Sequence, residues 1–184
     1  MSSGVQYVVL CEDLQTQVFI RRALIQRGAH PRRIQLVALP SAVGEGAGDN
    51  YVARHYPKQA EAHRSRAAHT QAALIVHMDV DPRNSVAARM NRLEQALLSA
   101  GMPARGAQER IAYLIPKRNI ETWIHFYLDG PPIDEVTEYA KYTGHESDCW
   151  PAAEAFSDGA ANHTEPPDAP PSLGVGLSEF RRIL

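Results

Sequence analysis

The chain has 184 residues, 44% of them hydrophobic and 22% charged, with a net charge of -2 and two cysteines. These proportions suit one globular domain with at most an appendage, and they exclude a disordered or disulfide-stapled chain. The charge is unevenly spread: residues 1–118 hold 16 of the 19 basic and 9 of the 21 acidic residues, a balance of +7, against 3 and 12, or -9, in residues 119–184. Of the basic residues only Lys58, Lys117 and Lys141 are lysine. So many arginines favour planar contact with phosphate, although a solvated arginine-rich surface gives the same composition.

Met1-Ser2-Ser3-Gly4 leads into a strand without the basic and apolar regions of a signal peptide, and no run of about 18 apolar residues occurs. The expectation is a cytoplasmic protein without a membrane partner. Cys11 and Cys149 stand in unrelated contexts with no CxxC spacing, so neither a disulfide framework nor a zinc knuckle is expected, and Cys11 reads as a small core residue.

In chain order, Val5 to Cys11 is apolar and predicts a strand, with Glu12 and Asp13 at its end. Leu14 to Arg27 predicts a helix: Asp13 can cap it, Val18, Phe19, Ala23 and Leu24 give it an apolar side, and Gly28 stops it. Ile34 to Leu39 is a second strand ended by Pro40; Ser41 to Asn50 reads as a flexible glycine-rich loop, and about Tyr51 to His69 as a polar helix. The third strand, Ala72 to Met78, runs into Asp79-Val80-Asp81. Asn84 or Ser85 can cap the next helix, whose Val86, Met90, Leu93 and Leu97 recur at helical spacing before Gly101. Ile111 to Ile115 is a fourth strand closed by Pro116, and Ile120, Trp123, Ile124, Tyr127 and Leu128 form the apolar stripe of a helix ending near Gly130.

This alternation predicts an α/β fold with a mainly parallel four-stranded sheet flanked by helices. Prolines, glycines and acids crowd residues 144–176, so an irregular, Pro-rich C-terminal segment is expected, with a short last helix over Leu177 to Leu184. The organisation predicted is a domain over residues 1–130 and an acidic, Pro/Gly-rich extension over 131–184.

Asp79 and Asp81 end a strand buried on both faces, and residues two apart on a strand project to the same side. Ligands in open α/β sheets bind beyond the carboxyl ends of the strands, and hard cations take carboxylate oxygens, so the pair points to metal-assisted phosphate chemistry. If the first and third strands are neighbours, Glu12 joins them, and three carboxylates in one place call for a cation. Glu12 and Asp13 could instead only decorate the start of the first helix. After the fourth strand, Lys117 and Arg118 can meet phosphate oxygens and Glu121 a metal, while Asn119 as an N-cap with Glu121 in the first turn explains the same residues structurally. Arg83 and Arg118 are the candidate nucleic-acid contacts. His77, on the Asp79 side by alternation, reads as a core histidine or as a support for the metal ligands; Trp123 reads as core. Gly44-Glu45-Gly46-Ala47-Gly48 matches neither the P-loop nor the GxGxxG pattern and reads as a loop near the site.

A glutamate at the end of the first strand, a later apolar strand ending in Asp-x-Asp, and the alternation between them together resemble the Toprim family, over roughly Val5 to Leu128. That family includes topoisomerases, primases, recombination proteins and nucleases of the overcoming-lysogenisation-defect type. The resemblance implies a Rossmann-like Toprim domain in which Asp79 and Asp81 hold Mg²⁺ or Mn²⁺ and Glu12 is a metal ligand or general acid/base. It further implies a nuclease role for Glu121 and Lys117, the available counterparts of a later acid and lysine. Pro116 to Trp123 also resembles small Toprim-like proteins found near bacterial defence genes. The pattern departs at Asp13, where Glu-Gly is usual, and at Thr16, where a second acid is usual. These departures imply one metal rather than two, or binding without cutting.

The function expected is metal-dependent phosphodiester hydrolysis of nucleic acid, DNA ahead of RNA, in bacterial defence. Its rivals are a non-catalytic nucleic-acid-binding or regulatory subunit, whose partner would supply an ATPase because this chain has no P-loop, and an Asp-x-Asp nucleotide-sugar transferase, in which Glu12 would have no role.

Overall fold

The computed structural model describes residues 5–41 and 48–184. Four short apolar segments form β1 (Tyr7–Leu10), β2 (Ile34–Leu36), β3 (Ala73–His77) and β4 (Ile111–Leu114). They pair in parallel in the order β2-β1-β3-β4, with Leu10 opposite Val76 and His77 opposite Leu114. The helices are α1 (Leu14–Gln26), α2 (Gly48–Ala67), α3 (Val86–Ser99), α4 (Ile120–Asp129), α5 (Trp150–Ala161) and α6 (Pro171–Arg181). None among the described residues is long and apolar enough to cross a membrane.

β1, β3 and β4 are uniformly buried because apolar layers cover both faces of the sheet. Tyr7, Val9, Ala73, Ile75, Ala112 and Leu114 meet α1, α4, α5 and α6 through Phe19, Trp123, Phe156 and Phe180. On the opposite face Val8, Leu10, Leu74, Val76, Ile111 and Tyr113 meet α2 and α3 through Val52, Tyr56, Leu93 and Leu97. The chain therefore leaves β1 on one face through α1 and reaches β3 on the other through α2. Strand order reverses between β1 and β3, and such a point leaves a crevice beyond the carboxyl ends of the two strands.

The helix expected from about Tyr51 begins earlier, at Gly48, and ends at Ala67. Gly44, Glu45, Gly46 and Ala47 of the expected loop, and Met1 to Gly4, lie outside the described residues. At the C-terminus the helices α5 and α6 occupy much of the segment expected to be irregular, and the proline-rich stretch between them, residues 162–170, is neither helix nor strand. Prolines stand in the first turns of α5 and α6, where a missing N–H costs nothing. Gly176, inside α6, lets that helix meet Trp123: an added Cβ would lie 2.9 Å from the ring's Cζ2 and Cζ3. Phe156, Leu173 and Phe180 share one core with Phe19 of α1, so the apolar packing runs continuously across the expected boundary at residue 130.

The acidic C-terminal part also answers the basic N-terminal part within the molecule. Arg22 pairs with Glu154, Arg27 with Asp158, Arg105 with Glu179 and Arg118 with Glu138. The first two pairs join α1 to α5. The Glu179 pair guards the open edge of β4: Glu179 accepts from the Tyr113 backbone N–H at 2.8 Å, while Arg105 and Arg182 donate to the Ile111 carbonyl at 3.0 and 3.1 Å. Unpaired backbone groups on an edge strand invite pairing with another chain, and here side chains occupy them.

Candidate metal centre

Three short connections build the carboxyl-end crevice. Glu12 follows β1, and Asp13 beside it caps α1, accepting from the Thr16 N–H and hydroxyl, each at 2.8 Å. The position where the resemblance implies a second acid is thus a fully buried capping partner. His77 is the last residue of β3, and Asp79 lies two residues on, on the same side. The Asp79 backbone N–H donates to Glu12 Oε1 at 2.7 Å, which fixes the Glu12 carboxylate over the end of β3. Glu12 also packs against the first residue of α2: a Cβ on Gly48 would fall 2.7 Å from the Glu12 Cβ, so only glycine permits this approach.

One ligand atom each from Glu12, His77 and Asp79 lies within 4.8 Å of the others, so the three residues form a candidate metal-binding triad. Donors sharing one ion at ~2.1 Å stand roughly 3–4 Å apart, so little movement is needed to bring them onto an ion. His77 is wholly buried, and among the described residues neither of its ring nitrogens has a hydrogen-bond partner. Asp79 keeps 32% of its side chain open to the crevice, yet its Oδ1 is enclosed and likewise unpartnered. His77 Nε2 and Asp79 Oδ1 face each other at 3.4 Å, beyond the usual range of a hydrogen bond between them.

Electrostatics in this crevice is unbalanced. Burial, and then the charges of Glu12, Asp13 and Glu121, hold the Asp79 carboxyl well above the ordinary aspartate range, against the opposing charge of Lys141. Burial also raises Glu121, with Asp13 adding to it and Lys141 opposing. Burial lowers the His77 imidazole to about 4, so at neutral pH it is uncharged and offers a lone pair. A bound cation would reverse the penalty on the carboxylates. The residues therefore fit a divalent ion.

The crevice encloses about 690 Å³ and is lined by Glu12, Asp79, Asp81, Arg118, Glu121 and Lys141, among others. Asp81 shares this lining but stands apart from the triad. Its side chain is exposed, and its Oδ1 accepts from the Arg83 N–H at 2.8 Å in a turn. Glu121, in the first turn of α4, is buried in the wall and is likewise outside the triad. Asn119 occupies the N-cap position of α4 without a side-chain capping bond. Arg118 adopts a left-handed φ of 72°, uncommon for a residue with a side chain; its guanidinium donates to the Val136 carbonyl at 3.0 Å and to Glu138 at 2.7 Å. Lys117 bridges to Val80 through its backbone and is not among the crevice residues; Arg83 is exposed beside the Asp81 turn. Trp123 is core, stacked on Phe156 and donating to the Ser172 hydroxyl at 2.9 Å.

The lysine that lines the crevice, alongside Arg118, is not Lys117 but Lys141, which sits on the connection between α4 and α5. This strap carries Glu138, Tyr142 and Glu146 to the same wall. Arg118 holds one part of it, and His125 another: the ring lies 5.4 Å from both Tyr139 and Tyr142 and contacts the Ala140 carbonyl at 3.0 Å. Nothing local in the sequence marks Lys141. His77 was detectable only by strand alternation, which puts it on the Asp79 side. No family model, curated protein or solved structure matches this chain.

Proposed function

We propose that this protein is a divalent-metal-dependent nuclease of Toprim-like design, acting on nucleic acid, with DNA as the first substrate and Mg²⁺ or Mn²⁺ as the ion. The observation that carries the reading is the cluster of Glu12, His77 and Asp79 at the reversal of strand order, in which the enclosed His77 nitrogens and Asp79 Oδ1 have no partner among the described residues. An ion there supplies Lewis-acid polarisation of a phosphate oxygen and a water acidic enough to attack phosphorus. Asp79 and Glu12 hold the charge that retains it, and the Asp79 N–H orients Glu12. Lys141, on the wall of the crevice, offsets negative charge as the phosphodiester approaches its transition state. Glu121, on the wall of the crevice and with a carboxyl that burial holds toward the protonated form, would give a proton to the leaving oxygen.

The position of Glu12 beside Asp79 supports this reading over a nucleotide-sugar transferase, which leaves Glu12 idle. A second reading, a non-catalytic nucleic-acid-binding or regulatory subunit working with a partner ATPase, is favoured by two observations. Asp81 is engaged with Arg83, and several arginines already pair with the chain's own acids. The resemblance to defence-associated proteins makes phage and plasmid DNA the natural test substrates.

Supercoiled plasmid, linear DNA and RNA incubated with wild type, Asp79→Ala and an EDTA control, in Mg²⁺ and in Mn²⁺, separate the two. Cleavage by wild type that is lost in Asp79→Ala and in EDTA is expected. Identical residual nicking by both proteins in both metals refutes the nuclease, and binding without turnover establishes the regulatory reading.

A further inference from the structure

We infer that His77 Nε2 is itself a ligand, which makes this a mixed nitrogen–oxygen centre selective for a transition ion such as Mn²⁺ over Mg²⁺. The inference rests on the metal-site part of the proposed function and deepens it, because the expectation from the sequence was a centre of carboxylates alone. Its basis is geometric. The two atoms that face each other at 3.4 Å, His77 Nε2 and Asp79 Oδ1, are both enclosed, neither has a hydrogen-bond partner among the described residues, and one ligand atom each of Glu12, His77 and Asp79 lies within 4.8 Å of the others.

A buried imidazole without a partner leaves a desolvated polar group uncompensated. A proton shared with Asp79 would relieve it, but at 3.4 Å the two atoms stand beyond the usual hydrogen-bond range and make no such bond. One ion between them relieves both atoms at once. Nδ1 also lacks a partner, so the ion satisfies one ring nitrogen and leaves the other.

The donor set then decides the ion. Mg²⁺ demands oxygen ligands in near-ideal octahedral geometry and gives up water reluctantly, whereas imidazole suits borderline transition ions. Asp81, the oxygen donor that would have completed a carboxylate-only site, is held in its turn with Arg83.

Pulsed electron paramagnetic resonance of the full chain loaded with Mn²⁺ tests this directly. Wild type is expected to show ¹⁴N coupling, and His77→Gln to lose it. The same substitution should weaken Mn²⁺ by at least about tenfold, the scale on which even supporting groups of a metal site act, while leaving the weaker Mg²⁺ affinity within about twofold. Because His77 is buried and the variant can unfold, wild type grown on ¹⁵N-histidine gives a reading without substitution: the ¹⁴N signal should be replaced by ¹⁵N coupling. No nitrogen coupling in Mn²⁺-loaded wild type, coupling that persists in a folded His77→Gln, or equal affinity for the two metals overturns the inference. DNA cleavage without nitrogen coupling would sink the histidine ligand and leave the nuclease standing. Nitrogen coupling at His77 without cleavage by any loaded form would do the reverse.

Discussion

The edge of β4 and the carboxyl end of β1 and β3 contain the same ingredients, buried acids beside cations and aromatic rings, arranged in opposite ways. At the β4 edge Arg105 pairs with Glu179 and lies 3.8 Å over the Tyr113 ring. Glu94 accepts from the Arg105 backbone and the Tyr113 hydroxyl, each at 2.9 Å, and Tyr113 meets the Tyr56 hydroxyl at 2.6 Å. That network is closed on itself. At the carboxyl end, burial and then the charges of Glu12, Asp13 and Glu121 raise the Asp79 carboxyl, burial and Asp13 raise Glu121, and His77 and Asp79 face each other without a bond. A closed polar network stabilises a fold. An open one inside a well-packed sheet is where a ligand is expected, because unpaired buried polar groups cost stability that a bound partner restores.

The largest expected effect comes from breaking the closed network. Glu179→Ala removes the acceptor of both Arg105 and the Tyr113 N–H and uncovers an edge strand. Losing one partner of a buried pair costs roughly 3–5 kcal/mol, read as a fall in the urea midpoint. A midpoint shift no larger than that of an exposed Glu→Ala control would show that the network is not holding the edge.

A smaller effect should appear with acid. His63 of α2 is buried beside the Arg64–Glu109 pair, and burial lowers its imidazole below the ordinary value. With the folded value below the unfolded one, the unfolded chain takes up the proton first, so stability held above about pH 6.5 is lost as pH falls below it. His77 acts in the same direction. Urea titrations at pH 7.5 and 5.5 should therefore show a fall in stability that is smaller in His63→Gln.

The smallest effect on stability is expected at the open site. The raised Asp79 carboxyl binds its proton more tightly folded than unfolded, so metal-free stability declines as pH rises through the unfolded value toward the folded one. Asp79→Asn removes that decline. At pH 7.5 without metal it should be as stable as wild type or more so, by up to about 1 kcal/mol, while losing Mn²⁺ binding. A large loss of stability would mean that Asp79 belongs to a closed network after all.

The closed and open regions differed in how far they could be read from sequence. Apolar runs, broken in β2 by Gln35, marked the four strands, while the adjacency of β1 and β3 that brings Glu12 to Asp79 was only a condition in the sequence, which the strand order meets. The helices α5 and α6 were hidden because Pro151 and Pro171 read as breaks though they begin helices, and because Gly159 and Gly176 read as loop residues though they serve close packing. The expected last helix, Leu177 to Leu184, was the second half of α6. At the site, Asp81 did not join the cluster because the chain turns there: β3 ends at His77, Val80 makes an isolated parallel bridge with Lys117, and Asp81 closes a turn with Arg83. Lys141 came to the crevice on a strap held by Arg118 and His125, long-range contacts that no local pattern encodes.

A crystal soaked in Mn²⁺ and recorded at a wavelength that reveals manganese tests the central claim most directly. The account requires an anomalous peak within about 2.0–2.6 Å of a Glu12 oxygen, an Asp79 oxygen and His77 Nε2. Saturating Mn²⁺ with no peak there, or with a peak on Asp81 or Glu121 alone, would contradict it.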